Sequence, residues 1–270
     1  MQFDNNDLPG IMLVSAAQRL IHLYGVKPGN TAVVMTVNDQ GYQAAVDLLD
    51  AGVDVAAVVD ARPTFSHGLE AAAFLISHGV PLLAGHAVTR ATGKKRVRAV
   101  VVSRQNAETP DRAARHITCD LVCMSGGFQP ANALFQHAGG SLKYDESSGE
   151  GIPHALPGGV FVAGEVTGSH DLASSLLQGQ LAGLKAASRA AGSPSMVASM
   201  VASTVPLIDN LKQQLAQRKG EYNSESAGPH LAWSAPEGKK NFVCFCEDVT
   251  VKDIAQAIEE GFEDIQMLKR

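Results

Sequence analysis

The sequence TAVVMTVNDQGYQAAVDLLDAGVDVAAVVD, which covers residues 31–60, decides the fold of this chain. Residues 31–37 form a nearly continuous apolar run, which is typical of a strand buried on both faces of a parallel sheet. Residues 41–51 follow with the apolar spacing of a helix, and residues 53–59 form a second apolar run. This order predicts a strand, a helix and a parallel strand, the unit from which Rossmann-like sheets are built.

The segments on either side extend this α/β pattern. Residues 11–24 and 69–77 have helical spacing, and residues 80–83 predict a third parallel strand. Residues 121–125 predict a further buried strand. Between these strands, short apolar runs joined by polar turns predict an antiparallel meander that covers one face of the sheet: residues 87–89, 96–103 and 115–118. The predicted fold class is therefore α/β, a Rossmann-like doubly wound parallel sheet.

The turn after the first strand carries a degenerate dinucleotide fingerprint. A complete G-x-G-x-x-G turn would place glycines at Thr36, Asn38 and Gly41, and only the third is glycine. The other two side chains are expected to crowd the approach of a pyrophosphate. Asp60 ends the second strand, where a carboxylate accepts hydrogen bonds from an adenosine ribose, although such an Asp is often a turn residue. Asn38, Gly41 and Asp60 are thus the predicted residues of a decayed nucleotide site.

A second glycine-containing segment, GVFVAGEVTG at residues 159–168, is more distinctive. Residues 159–163 predict a buried strand, and residues 171–191 predict a long helix. Backbone N–H groups and a helix dipole at such a junction can approach the ribityl or phosphate portion of a cofactor. The alternative is an ordinary strand–loop–helix connection. The residues predicted to border a cofactor here are Gly164, Glu165, Thr167 and Gly168.

The sequence NFVCFCEDVT at residues 241–250 places Cys244 and Cys246 one residue apart. Paired thiolates suit a soft metal, and these two are the predicted metal ligands, but a closed zinc or iron–sulfur site needs four. Cys119 and Cys123 lie beside or within a predicted strand and are expected to be core thiols. We therefore predict that the segment from Asn241 onward carries half of a [2Fe–2S] site, holds no cluster and docks loosely.

Composition excludes several classes of partner. The chain has 270 residues, 45% of them hydrophobic and 18% charged, with a net charge of −5, which argues against a nucleic-acid surface. The N-terminal residues MQFDNND lack the basic and apolar regions of a signal peptide. Four cysteines without a secretion signal indicate reduced thiols, so we predict a cytoplasmic protein.

Four motifs, in this order, resemble those of the α-subunits of heterotetrameric sarcosine oxidases and of related opine and D-hydroxyproline dehydrogenases. They are DLPG at residues 7–10, the unit at 31–60, the segment at 159–183, and CFCEDVT at 244–250. The resemblance covers essentially the whole chain. It implies a flavoprotein fold with two dinucleotide-binding domains and a small α-rich module similar to bacterioferritin-associated ferredoxin. It also implies an oxidoreductase that acts on the CH–NH bond of sarcosine or a related secondary amine.

The same resemblance implies cofactors and partners. The α-subunit of the family binds NAD, and Thr167, Leu172 and Ser174 match positions that touch it. The β-type subunit carries FAD and oxidises the amine, FMN lies near the α/β interface, and folate accepts the one-carbon unit. The γ- and δ-type subunits are further expected partners. Family segments are expected before residue 1 and after residue 270, so the chain is interpreted as an internal fragment without a catalytic residue of its own.

These observations predict five parts of the chain. They are a connecting helix and linker at residues 1–30, a Rossmann-like domain with a meander at 31–125, the returning edge of an FAD/NAD-type domain at 126–192, a helix and linker at 193–240, and a truncated ferredoxin-like module at 241–270. The favoured function is part of a sarcosine oxidase-type α-subunit that is inactive alone. The alternatives are a stand-alone NAD(P)H/FAD reductase-like flavoprotein, which lacks the Cys-x4-Cys redox pair here, and a non-catalytic structural module with vestigial nucleotide sites.

Overall fold

The computed structural model describes residues 2–64, 70–104, 114–127, 129–145, 150–169, 172–190, 209–216 and 240–262. The chain divides into two compact units, and each is described here by itself. The first unit consists of residues 1–127 and 231–270, and the second consists of residues 128–230.

The described strands and helices are numbered in chain order. The strands are β1 (Ile11–Leu13), β2 (Thr31–Thr36), β3 (Asp54–Asp60), β4 (Leu82–Ala84), β5 (His86–Thr92), β6 (Ala99–Arg104), β7 (Arg115–Thr118), β8 (Leu121–Ser125), β9 (Ser141–Asp145), β10 (Glu150–Ala155), β11 (Phe242–Cys244) and β12 (Val249–Thr250). The helices are α1 (Val14–Tyr24), α2 (Gln40–Asp50), α3 (Glu70–Ser77), α4 (Ala133–His137), α5 (Leu172–Ala190), α6 (209–216) and α7 (Val251–Glu259).

A five-stranded parallel sheet forms the centre of the first unit. Its strands lie side by side in the order β1-β8-β2-β3-β4, and every neighbouring pair is parallel. The predicted Rossmann-like α/β fold is therefore confirmed. Because the carboxyl ends of parallel strands meet at one edge, the loops after β2 and β3 lie next to each other, with Thr36 opposite Asp60 in the register.

Successive side chains of β2 enter two different cores. Val34 packs with residues of α1, α2 and α3 on one face of the sheet, and Val33 packs with β5 and β6 on the other. Both valines are fully buried, which explains why the strand reads as a continuous apolar run rather than an alternating one. The second face is covered by the antiparallel sheet β5-β6-β7, the meander that the sequence predicts.

The first predicted helix begins three residues later than expected. Residues Ile11–Leu13 form β1, which pairs with β8 from Val122 to Met124. The apolar side chains of this segment fit a helical spacing, but the backbone hydrogen bonds offered by β8 decide its conformation. Sequence periodicity alone does not contain that information, because the partner strand lies more than 100 residues away along the chain.

The second unit contains α4, the antiparallel hairpin β9–β10, a 3-10 helix at Gly164–Thr167, the long helix α5 and α6. The prediction of a strand at residues 159–163 is wrong. These residues have no strand conformation, and in the part of the unit that the structure describes no neighbouring strand pairs with them. An apolar segment becomes a strand only where a partner satisfies its backbone N–H and C=O groups.

The C-terminal residues of the first unit form the short hairpin β11–β12 and the helix α7. Thr250 caps α7: its hydroxyl accepts from the backbone N–H of Asp253, whose carboxylate accepts from the backbone N–H of Thr250. The loose docking of this segment stays a prediction: none of the α7 residues is buried, and two hydrogen bonds join the hairpin to Asn6. The side chain of Asn6 donates to the carbonyl of Phe242 at 2.9 Å and accepts from its N–H at 3.0 Å.

Candidate functional site

The first candidate site is the edge where β2 and β3 end, here called the β2–β3 edge (residues 36–41 and 60–62). Side chains of the turn after β2 form hydrogen bonds within that turn. The hydroxyl of Thr36 donates to the carbonyl of Asn38 at 2.6 Å, and the N–H of Asn38 donates back to that hydroxyl at 3.1 Å. From β8, the hydroxyl of Ser125 donates to the side-chain oxygen of Asn38 at 2.8 Å.

Gly41, the one fingerprint glycine, lies directly against Thr36. A Cβ atom built on Gly41 would lie 2.3 Å from the Cβ of Thr36, so any other residue would collide with the strand. The glycine therefore allows close packing of α2 on β2, which is one of the three roles that glycine has in a dinucleotide-binding turn. The close approach of a ligand to the turn is a separate role, and Thr36 and Asn38 fill the two positions that would provide it.

Asp60 is fully buried at the end of β3 and has several partners within the chain. Tyr42 donates its hydroxyl to one carboxylate oxygen at 2.7 Å. Arg62 donates to the carboxylate from its backbone N–H at 2.9 Å, from Nε at 3.1 and 3.2 Å, and from Nη2 at 2.8 Å. Ribose binding by Asp60 stays a prediction, and it would require a ribose hydroxyl to compete with these donors.

The same arginine bridges two carboxylates. Nη1 of Arg62 lies 2.8 Å from Oδ1 of Asp39, the residue that precedes α2. Burial acts to lower the pKa of Arg62, but the bonds to Asp60 and Asp39 outweigh it, so the pKa lies above its ordinary value. Burial and the Asp60 carboxylate together raise the pKa of Tyr42, which keeps its hydroxyl protonated as a donor. The sequence reasoning missed both Tyr42 and Arg62.

The second candidate site is a cavity of about 540 Å³ within the second unit. Three of the predicted cofactor residues line it, namely Gly164, Glu165 and Leu172. The remaining lining residues were not predicted: Gln129, Ala131, Val166 and Ser175. The wall of this open cavity combines apolar side chains with the exposed carboxylate of Glu165 and the hydroxyl of Ser175, which can bond the hydroxyl groups of a ligand.

The 3-10 helix that supplies this wall is held by Gln178 of α5. The side-chain oxygen of Gln178 accepts from the backbone N–H of Gly164 at 2.7 Å and lies 2.7 Å from the hydroxyl of Thr167. That hydroxyl is also 2.8 Å from the carbonyl of Gly164. Gln178 is therefore a positioning residue of this site, and it was missed because no local motif marks a side chain 11 to 14 residues away.

The other predicted residues of this segment do not line the cavity. Gly168 ends the 3-10 helix with a φ of 76°, a conformation that favours glycine, and a Cβ there would lie 3.0 Å from the side chain of Ile152. Ser174 is buried in α5. Thr167, Gly168 and Ser174 remain predicted cofactor contacts, and the structure shows what they do locally.

The cysteine pair lies at the surface of the first unit. Cys244 ends β11 and is half-buried, whereas Cys246 lies in the following turn and is exposed. Cys119 and Cys123 are buried, and burial raises the pKa of each thiol to about 12. Within the described ranges, no group of three or more His, Cys, Asp or Glu side chains is placed to hold a metal ion.

No helix in the part of the chain that the structure describes is both long enough and apolar enough to cross a membrane.

Comparison with solved structures identifies the fold. L-proline dehydrogenase from P. horikoshii superimposes on all of this chain with a TM-score of 0.66 and 20% identity, and the match covers 45% of that protein's chain. T. acidophilum thioredoxin reductase matches 67% of this chain and 58% of its own, with a TM-score of 0.52 and 20% identity. The fold is thus shared with oxidoreductases.

Sequence comparison is more specific. The family model of the sarcosine oxidase A3 domain matches residues 238–270. The sarcosine oxidase subunit alpha of Corynebacterium sp. (strain P-1) is 32% identical over 99% of this chain, and that of Rhizobium meliloti (strain 1021) is 33% identical over 99%. The matches cover 26% and 24% of those proteins, so the chain spans about a quarter of their length. Over nearly its whole length, therefore, the chain is similar to about a quarter of each of these sarcosine oxidase α-subunits.

Proposed function

We propose that this chain is part of the cofactor-binding α-subunit of a sarcosine oxidase-type oxidoreductase. The observation that carries the proposal is the similarity to sarcosine oxidase α-subunits along 99% of the chain, on a fold shared with L-proline dehydrogenase. The parent enzyme would oxidise the CH–NH bond of sarcosine or a related secondary amine and pass the one-carbon unit to folate. A β-type subunit with FAD would carry out the oxidation, with FMN at the interface and γ- and δ-type subunits in the complex.

Within the chain, we propose the cavity of the second unit as a border of the NAD site. NAD or a flavin in the parent enzyme supplies the hydride-accepting chemistry. The residues of this chain would bind and orient it: Glu165 can accept hydrogen bonds from ribose hydroxyls, and Leu172 and Val166 offer apolar contact. We place the NAD site at the second unit rather than at the β2–β3 edge, because the carboxylate of Asp60 at that edge already accepts hydrogen bonds from Tyr42 and Arg62.

The isolated chain should produce no hydrogen peroxide when sarcosine is added. In the proposed complex, this chain contributes a border of the NAD site and no catalytic group, and the flavin that oxidises the amine belongs to the β-type subunit. A peroxidase-coupled assay on the purified chain measures this directly, with a complete sarcosine oxidase as the positive control. Turnover by the chain alone would contradict the proposed division of labour.

The proposed partners can be tested without activity. A tagged chain co-expressed with the β-, γ- and δ-type subunits of a sarcosine oxidase should retain the β-type subunit through affinity purification. Thioredoxin reductase carrying the same tag is a suitable control, because it shares the fold and not the close sequence similarity. If the tagged chain retains no more of the β-type subunit than this control does, the proposed assembly is wrong.

We further propose that the cysteine pair holds no cluster in this chain alone, because a [2Fe–2S] cluster needs four ligands and two are present. In native protein, iodoacetamide should then modify Cys246 first, Cys244 more slowly, and the buried Cys119 and Cys123 only after unfolding, since their raised pKa keeps them protonated. Peptide mass spectrometry measures each rate. Anaerobically purified protein with about two irons per pair of chains, lost in Cys244→Ser, would instead show a shared cluster.

A further inference from the structure

We propose that the β2–β3 edge is a guanidinium site, occupied by the chain's own Arg62, and that it therefore rejects the phosphate and ribose groups of a dinucleotide. The inference goes beyond the proposed function, because it concerns the class of ligand that this edge accepts. It does not depend on what the parent enzyme oxidises.

The geometry around Arg62 is that of a bound guanidinium. Its two terminal nitrogens each lie 2.8 Å from a carboxylate oxygen, Nη1 from Asp39 and Nη2 from Asp60. The Arg62 side chain is 5% exposed and the Asp60 side chain 0% exposed, so the pair is removed from water. The guanidinium carbon also lies 6.0 Å from the ring centre of Tyr42, at the limit of a cation–π contact. The Asp60 carboxylate accepts from the fork of Nε and Nη2, as in a bidentate arginine–carboxylate pair. The Asp39 carboxylate, whose side chain is 34% exposed, adds an ion pair to Nη1 without the geometry of a hydrogen bond.

The charges at this edge oppose a phosphate. In a nucleotide-binding fold, the N-terminus of the helix after the first strand attracts the pyrophosphate through its dipole and free N–H groups. Here Asp39 directly precedes α2, and its carboxylate bonds none of the free N–H groups of the helix but lies 2.8 Å from Nη1 of Arg62, which brings a negative charge to this end of α2. Two carboxylates face one guanidinium, which leaves an excess of one negative charge, and an incoming phosphate would be repelled.

The two carboxylates also argue against a role of Arg62 in binding the 2′-phosphate of NADP. An arginine after the acidic residue of the second strand can accommodate the 2′-phosphate of NADP. Arg62 occupies that place in the sequence, but its charge is compensated by Asp39 and Asp60 and its side chain is buried. A phosphate would have to compete with these two carboxylates for the buried guanidinium.

The turn closes the edge independently of the charges. Asn38 bonds both Thr36 and Ser125 where the pyrophosphate of a dinucleotide would approach, and Thr36 packs against Gly41. The exclusion of a dinucleotide therefore has two separate causes, one electrostatic and one steric.

The test removes the resident guanidinium. The Arg62→Ala chain should bind methylguanidine, which calorimetry measures directly and a rise in the unfolding midpoint confirms. Because two carboxylates line the vacated space, its affinity for methylguanidine should exceed its affinity for ADP by about ten-fold or more. The wild type should bind neither. Methylammonium is the control ligand, because it carries the same single charge but lacks the planar fork of N–H donors. In a second control, the double variant Arg62→Ala with Asp39→Asn should bind methylguanidine more weakly than Arg62→Ala does.

The proposal is overturned if Arg62→Ala binds ADP at least as tightly as methylguanidine. It is equally overturned if NAD slows hydrogen exchange of residues 36–41 in the wild type. Should Arg62→Ala fail to fold, it can be refolded with methylguanidine or with methylammonium at equal concentration. Recovery with methylguanidine alone supports the proposal. Equal recovery with the two cations would contradict the proposal. Binding of ADP by the milder variant Arg62→Lys would contradict it as well.

Discussion

Asp60→Ala should be less stable than the wild-type chain by about 3–5 kcal/mol, the usual cost of removing one member of a buried ion pair. The substitution leaves the guanidinium of Arg62 buried with Asp39 as its one charged partner and removes the acceptor of the Tyr42 hydroxyl. Urea unfolding followed by circular dichroism measures the free energy of unfolding directly.

The same strand supplies a matched control. Asp54 begins β3, is exposed, and its replacement by Ala should change stability by no more than about 0.5 kcal/mol. The double variant Asp60→Leu with Arg62→Met should recover much of the loss, because apolar side chains of similar volume often replace a buried ion pair at little cost. A loss below about 1 kcal/mol for Asp60→Ala would mean that the pair behaves as an exposed one.

Gly41→Ala should destabilise the chain by about 1–2 kcal/mol, although the same change helps most helices. Gly41 lies in the first turn of α2, where the advantage of alanine is at most the roughly 1 kcal/mol of a helix interior, whereas overpacking a well-packed position costs about 1–3 kcal/mol. Here the new Cβ would lie 2.3 Å from the Cβ of Thr36, an atom fixed to a buried strand that cannot swing away. The steric cost therefore outweighs the helix propensity.

Two further variants separate the steric cost from the effect of helix propensity. Gly179 lies within α5, and a Cβ atom added there would meet no described atom within 4 Å, so Gly179→Ala should be neutral or stabilising. Thr36→Gly should make room for the methyl group that Gly41→Ala adds, so the double variant should show a positive coupling in a double-mutant cycle. If Gly41→Ala is as stable as Gly179→Ala, then α2 does not pack on β2 as closely as the structure shows.

The fold of residues 31–60 could be predicted because its information is local. Each strand there is a continuous apolar run, and the helix between them has a clear period. Residues Ile11–Leu13 and 159–163 were assigned wrongly for one physical reason. A short apolar segment becomes a strand or not according to the partner that its backbone finds, and that partner is far away in sequence or lacking in the described residues.

The residues of the candidate sites also differ in whether a local sequence motif marks them. Gly164, Glu165 and Leu172 line one cavity because a glycine-containing motif already places them together along the chain. Arg62 and Gln178 carry no such signal, since their importance comes from contacts across the fold. The partners of Asp60 show the limit most clearly. A carboxylate at the end of a second strand predicts a ribose acceptor, but a buried arginine two residues later changes what it can bind.

The hydrogen bonds between Asn6 and Phe242 set a time order for folding. The two residues are 236 positions apart, so this pairing cannot form until nearly all of the described chain has been synthesised. At the usual rate of translation, Asn6 waits roughly 10–50 s for its partner to be made. Closing a loop of this length costs little more free energy than closing a shorter one, because the entropy lost on closure grows only with the logarithm of the loop length. The cysteine-bearing hairpin can thus pair with the N-terminal segment only after β1 to β8 have been synthesised.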